Sequence, residues 1–122
     1  MRKAFAFSIG ICLILFAGVN PAQARTCSEE ETDSVRAMLI PITRVSAHQG
    51  RNISENQEVI ASIRKLVKAT PSFKLKKPLN ELRVLIKKGE LNQGSTLYWG
   101  YRDGSVWQTY KKVLSLTQKN NC

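Results

Sequence analysis

The chain has 122 residues, 19 Lys plus Arg against 9 Asp plus Glu, three Cys and one His, at 23% charged and 43% hydrophobic. That balance excludes a charge-dominated disordered chain and a multi-span membrane protein, and the length sets one small domain as the ceiling. A single His excludes catalytic histidine pairs and His-rich zinc sites, and three dispersed Cys exclude a four-cysteine zinc site within the chain.

Met1-Arg2-Lys3 is a basic start, followed by an apolar run from Ala4 to Val19, then Asn20-Pro21 and the small-residue sequence Ala22-Gln23-Ala24. This is the pattern of a secretory signal peptide, with cleavage expected after Ala24. The apolar run is short for a bilayer span and contains Gly10 and Gly18, which argues against a retained anchor. Cys12 lies inside this run and leaves with it. Residues 1–24 are thus expected to be a leader and residues 25–122 a single helical domain. Export is expected to the bacterial periplasm or, in another source, to the outside of the cell.

Two cysteines remain after cleavage, Cys27 and Cys122. An oxidising compartment allows them to pair. For a loop of this length the chain-entropy model gives about 4 to 5 kcal/mol, close to the whole stability of a small domain.

From residue 28 the pattern is helical. Ser28 with Glu31 forms a capping box, and Glu29, Glu30 and Glu31 suit the positive end of a helix whose stripe is Val35, Met38, Leu39, Ile42 and Val45. Pro41 interrupts it, so the helix either stops near Leu39 or passes a kink. His48-Gln49-Gly50-Arg51 reads as a connection. Ser54 with Gln57 caps a second helix carrying Val59, Ile60, Ile63, Leu66 and Val67, which Thr70-Pro71 ends. Pro78 suits the start of a third helix, with Leu79, Leu82, Leu85 and Ile86 as its stripe and Gly89 at its exit.

Residues 96–110 read in two ways. Thr96 to Tyr101 and Ser105 to Tyr110 flank Arg102-Asp103-Gly104 as a hairpin would. Val106, Trp107, Tyr110, Val113 and Leu114 instead fit a final helix from Val106 to about Gln118, with Ser105 as its cap. The expected fold is all-α, a small four-helix bundle with a short hairpin near 96–110 as the alternative, its ends tied by one disulfide.

Catalytic motifs are scarce: there is no nucleophile elbow, zinc-protease helix, phosphate loop or paired-cysteine redox motif. His48 reads as a surface or cap histidine. Glu55 with Glu58, and Glu30 with Asp33, stand one turn apart at helix starts, where acidic residues favour the helix dipole. The inventory points away from an enzyme, and no metal or cofactor site is indicated.

Charge is more informative. Residues 25–60 carry four basic and six acidic side chains, and residues 61–122 carry thirteen and three. Arg64, Lys65, Lys68, Lys74, Lys76, Lys77, Arg83, Lys87 and Lys88 lie in a stretch with Glu81 as its one acid. Such a surface attracts acidic proteins and anionic polymers. Aromatic residues form a second cluster: Trp107 and Tyr110 continue the helical stripe and are assigned to the core. Tyr98, Trp99 and Tyr101, beside Arg102, are assigned to an exposed binding set.

The expected function is an exported basic adaptor that acts on an acidic protein partner in the cell envelope, in an inhibitor, immunity, chaperone or secretion-accessory role. A secreted cationic effector on membrane or cell-wall anions is the alternative, and a small hydrolase using a carboxylate pair the third. The leader disfavours intracellular nucleic acid.

Overall fold

The computed structural model describes residues 26–122, so the leader pattern of residues 1–24 lies outside the described residues. Helix α1 (Glu29–Ala37) opens as expected: Ser28 Oγ accepts from the Glu31 amide and the Glu31 carboxylate accepts from the Ser28 amide. Helix α2 (Leu39–Ala47) follows after a break at Met38. Pro41 brings no N–H for the carbonyl of Ala37, so the ladder lapses there and resumes with Pro41 inside the first turn of α2.

Gln49 and Gly50 both take positive φ, which reverses the chain into α3 (Ile53–Ala69). The cap of α3 is Asn52, whose side chain accepts from the Glu55 amide, and not Ser54. Asn accepts as well as Ser does, and a start at Ile53 lets Asn56 enter the core, where its amide donates to the Gly50 carbonyl. Thr70 ends α3 in extended backbone, as a residue before proline prefers.

Helix α4 (Phe73–Gly89) begins five residues earlier than Pro78 implied. Ser72 caps it by accepting from the Leu75 amide, and the buried stripe extends one turn back to Leu75. Pro78 is itself buried in the helix, where packing offsets the missing hydrogen bond. A short 3₁₀ turn (Glu90–Asn92) leads to α5 (Thr96–Trp99) and then α6 (Ser105–Gln118). The hairpin alternative is not formed, and among the described residues there is no strand. Gly104, not Ser105, stands at the N-cap of α6, and its amide donates to the Gly100 carbonyl, 2.8 Å.

The product is an all-α bundle. Helix α4 packs on α3 and on α6, α6 also meets α1, and α2 lies on α3. Val35, Ile42, Ile63, Leu79, Leu82, Ile86, Val106 and Tyr110 form the centre of one apolar cluster. Cys27, before α1, is bonded to Cys122, after α6. Around this bridge Thr70 Oγ1 donates to the Glu31 carboxylate and Ser72 Oγ to the Cys122 carbonyl, which fastens α1, the α3–α4 turn and the tail together. No helix among the described residues is long and apolar enough to cross a membrane.

Candidate functional site: a lysine-bordered groove

The helical period decides what each helix shows to solvent. With Leu75, Leu79, Leu82 and Ile86 turned inward, α4 presents Phe73, Lys76, Lys77, Asn80, Glu81, Val84 and Leu85 along its α6 side. Burial of Val106, Tyr110 and Val113 leaves α6 presenting Gln108, Lys111, Lys112, Ser115 and Lys119. The two faces meet in a pair of grooves that share Lys77, Glu81 and Lys112. The larger, about 770 Å³, is floored by Phe73, Val84 and Leu85 with Lys76, Lys77 and Lys112 at its borders. The second, about 590 Å³, adds Lys111, Lys119 and Asn121.

Two features distinguish this face from an ordinary solvated helix surface. Glu81 is the single acid among the described residues lining either groove, against five lysines. Phe73 is 77% exposed at the head of α4, where its ring has no cover from the core. Lys74 stands beyond this end, its ammonium donating to Asn121 Oδ1 at 3.0 Å.

The other cations expected on one basic face are distributed more widely. Arg64 lines a cleft between α3 and α4 with Arg83 and Lys87, and Lys87 pairs with Glu90 at 3.6 Å. Lys65 lines a recess between α3 and the α1–α2 break. Lys68 and Lys88 are exposed near the C-terminal ends of α3 and α4. Of the expected basic residues, the principal groove thus gathers Lys76 and Lys77.

The aromatic set divides differently from expectation. Trp99 is 1% exposed and belongs to the core, which corrects its assignment to a binding surface. Its indole N–H donates to the Gly89 carbonyl at 3.1 Å, its own carbonyl accepts from Ser46 Oγ, and its ring passes between Gly50 and Gly89. A Cβ at either glycine would overlap that ring. Tyr98 is half-buried against the core. Tyr101 is 58% exposed, with Arg102 over its ring at 5.3 Å and Trp107 at 4.9 Å on its inner side. Trp107 and Tyr110 are core residues, and burial pushes the Tyr110 hydroxyl up to about 12 while it donates to the Val35 carbonyl at 2.7 Å.

The chain matches no family model, no curated protein and no solved structure. Function is therefore read from its own side chains.

One carboxylate, Glu55, meets an imidazole, and it is held there as an ion pair. Glu55 is engaged by His48 Nδ1 at 2.6 Å and Arg44 Nε at 3.9 Å, and among the described residues no group of three His, Cys, Asp or Glu side chains converges. Glu30, Asp33 and Glu58 are exposed. In the sequence Lys111 and Lys112 stand out only as cations beside the aromatic cluster, and Lys119 not at all, although their spacing with Gln108 and Ser115 places all five on one helix face.

Proposed function

We propose that residues 25–122, exported after removal of a leader at 1–24, form a basic binding protein whose α4–α6 groove engages an acidic protein in the cell envelope. An inhibitor, immunity, chaperone or secretion-accessory role fits such a module. The observation that carries the proposal is the joining of an apolar floor to three bordering lysines, with two more in the adjoining groove, against Glu81 as the one acid among the described residues lining either. Apolar area supplies affinity, and a uniform rim charge speeds encounter with acidic surfaces while repelling basic ones. The disulfide and the leader pattern support an oxidising compartment.

The test is capture from the envelope of the producing cell by the oxidised chain, beside a Lys76→Glu/Lys77→Glu/Lys112→Glu variant. The proposal expects an acidic protein in stoichiometric amount that is lost with the variant and with salt raised from about 50 to 200 mM. Capture unchanged by both perturbations contradicts it. A second reading, a cationic effector on anionic lipid, is favoured by the exposed Phe73 among lysines. It predicts that vesicles containing phosphatidylglycerol bind the chain and compete with the protein.

A further inference from the structure

We infer that the occupant of the α4–α6 groove is an amphipathic α-helix of about three turns with acidic flanks; this rests on the groove being the binding surface. The larger groove follows α4 from Phe73 to Leu85, a rise of about 18 Å, and the second follows α6 from Gln108 to Lys119, about 17 Å; the two join at Lys77, Glu81 and Lys112, so the joined trough offers the length of a helix of roughly twelve residues. A trough between two packed helices presents side-chain ridges of the kind that a third helix fills.

Other ways of holding a peptide do not fit this face. Strand addition needs a sheet edge, and the described residues contain no strand. A polyproline segment needs an aromatic-lined groove, whereas among the described residues Phe73 is the single aromatic lining this one. A helix laid in a groove needs apolar anchors at i, i+3, i+4 and i+7, and the floor offers Phe73, Val84, Leu85 and the methylene stems of Lys76 and Lys77.

Lysines border both walls, Lys76 and Lys77 on α4 and Lys111, Lys112 and Lys119 on α6. An incoming helix with carboxylates on both shoulders of its apolar stripe meets a cation on either side. A helix with basic shoulders is repelled from both walls. Glu81, set within the trough, would face the incoming stripe and disfavour an acid at its centre.

The test uses the oxidised chain and two peptides of equal composition, about fourteen residues of Leu, Ala and Glu. One is amphipathic and stapled to hold a helix, because a free peptide of this length is mostly unfolded. The other is scrambled and unstapled. The inference expects the helical peptide to bind about tenfold tighter than the scrambled one, with Phe73→Ser and Lys112→Glu each weakening it several-fold. Phe73 is an exposed side chain, so Phe73→Ser retains the helical spectrum of the parent and its loss is one of binding. Equal affinity of the two peptides, both sensitive to Lys112→Glu, overturns the helix inference and leaves the acidic-partner reading standing. Binding of neither peptide, with phosphatidylglycerol vesicles bound instead, overturns both.

Discussion

Gly89→Ala is expected to destabilise this protein, although Gly to Ala within a helix ordinarily does the reverse. Gly89 ends α4 with φ −63° and ψ −24°, a backbone that alanine adopts without strain, so propensity alone favours the variant by about 1 kcal/mol. The added Cβ would overlap Trp99 Cζ2 and stand 2.7 Å from Cε2. The ring has little freedom to retreat, because a Cβ at Gly50 would stand 2.7 Å from Nε1 and the indole N–H is held by the Gly89 carbonyl. Overpacking of this kind costs roughly 1–3 kcal/mol, and disturbance of the buried hydrogen bond about 1 more. The net loss is then about 1–3 kcal/mol, a fall in Tm on the order of 5–20 °C for a domain of this size. In a Trp99→Phe background the benzo edge is gone and Gly89→Ala becomes neutral or stabilising. Urea unfolding of the four oxidised proteins gives the coupling, expected at about 2–3 kcal/mol. A Gly89→Ala effect of the same sign and size in both backgrounds refutes the placement of Trp99 between the two glycines.

Trp107→Ala, which removes a core ring packed on Tyr101 and Tyr110, is expected to cost about 3–5 kcal/mol in the same unfolding assay, and Tyr101→Ala less than about 1. Reduction of the Cys27–Cys122 bridge, or its replacement by two serines, is expected to lower stability by about 2–5 kcal/mol, read as a reductant-dependent Tm. Tyr110 titrates near 10 in the unfolded chain and about 12 in the folded one, so its contribution is constant below pH 10. Between pH 10 and 12 the unfolded state loses the proton first, and stability falls by about 2–3 kcal/mol across that window. Tyr110→Phe is less stable at neutral pH by about 1 kcal/mol, through loss of the bond to Val35, but lacks that part of the alkaline fall. Lys76→Glu/Lys77→Glu/Lys112→Glu leaves the melting curve within about 1 kcal/mol of the parent while weakening partner binding, because all three line the groove rather than the core.

What was legible in the sequence was periodic and local. Ser28 with Glu31 and the stripes of α3 and α6 each specify a feature by spacing alone, and Cys27 and Cys122 are the two cysteines outside the leader pattern; the helical fold and the bridge agree with these signals. The errors lie where a distant partner outweighs the local signal. Pro78 marks a helix start by propensity, yet burial of Leu75 extends α4 past it toward Phe73. Trp99 sits in a segment rich in turn residues and reads as exposed. It is buried because Gly50 and Gly89, separated widely in the chain, leave an indole-sized slot. The groove was half legible: the cations of α4 stand out as a run, whereas those of α6 are seen only when the helix is wound and its buried face removed.

Photo-crosslinking from single positions in the producing cell locates the partner on the protein and so distinguishes the α4–α6 groove from the rest of the surface. A crosslinking residue at Val84 or Ser115 lies in the groove, and one at Ser34 or Ser62 lies in the separate recess beside α3. With the partner seated in the groove, a discrete acidic protein is crosslinked from Val84 and Ser115 and lost when Lys77 and Lys112 are reversed to glutamate. The same adduct formed from Ser34 and Ser62 and absent from the groove positions would contradict it.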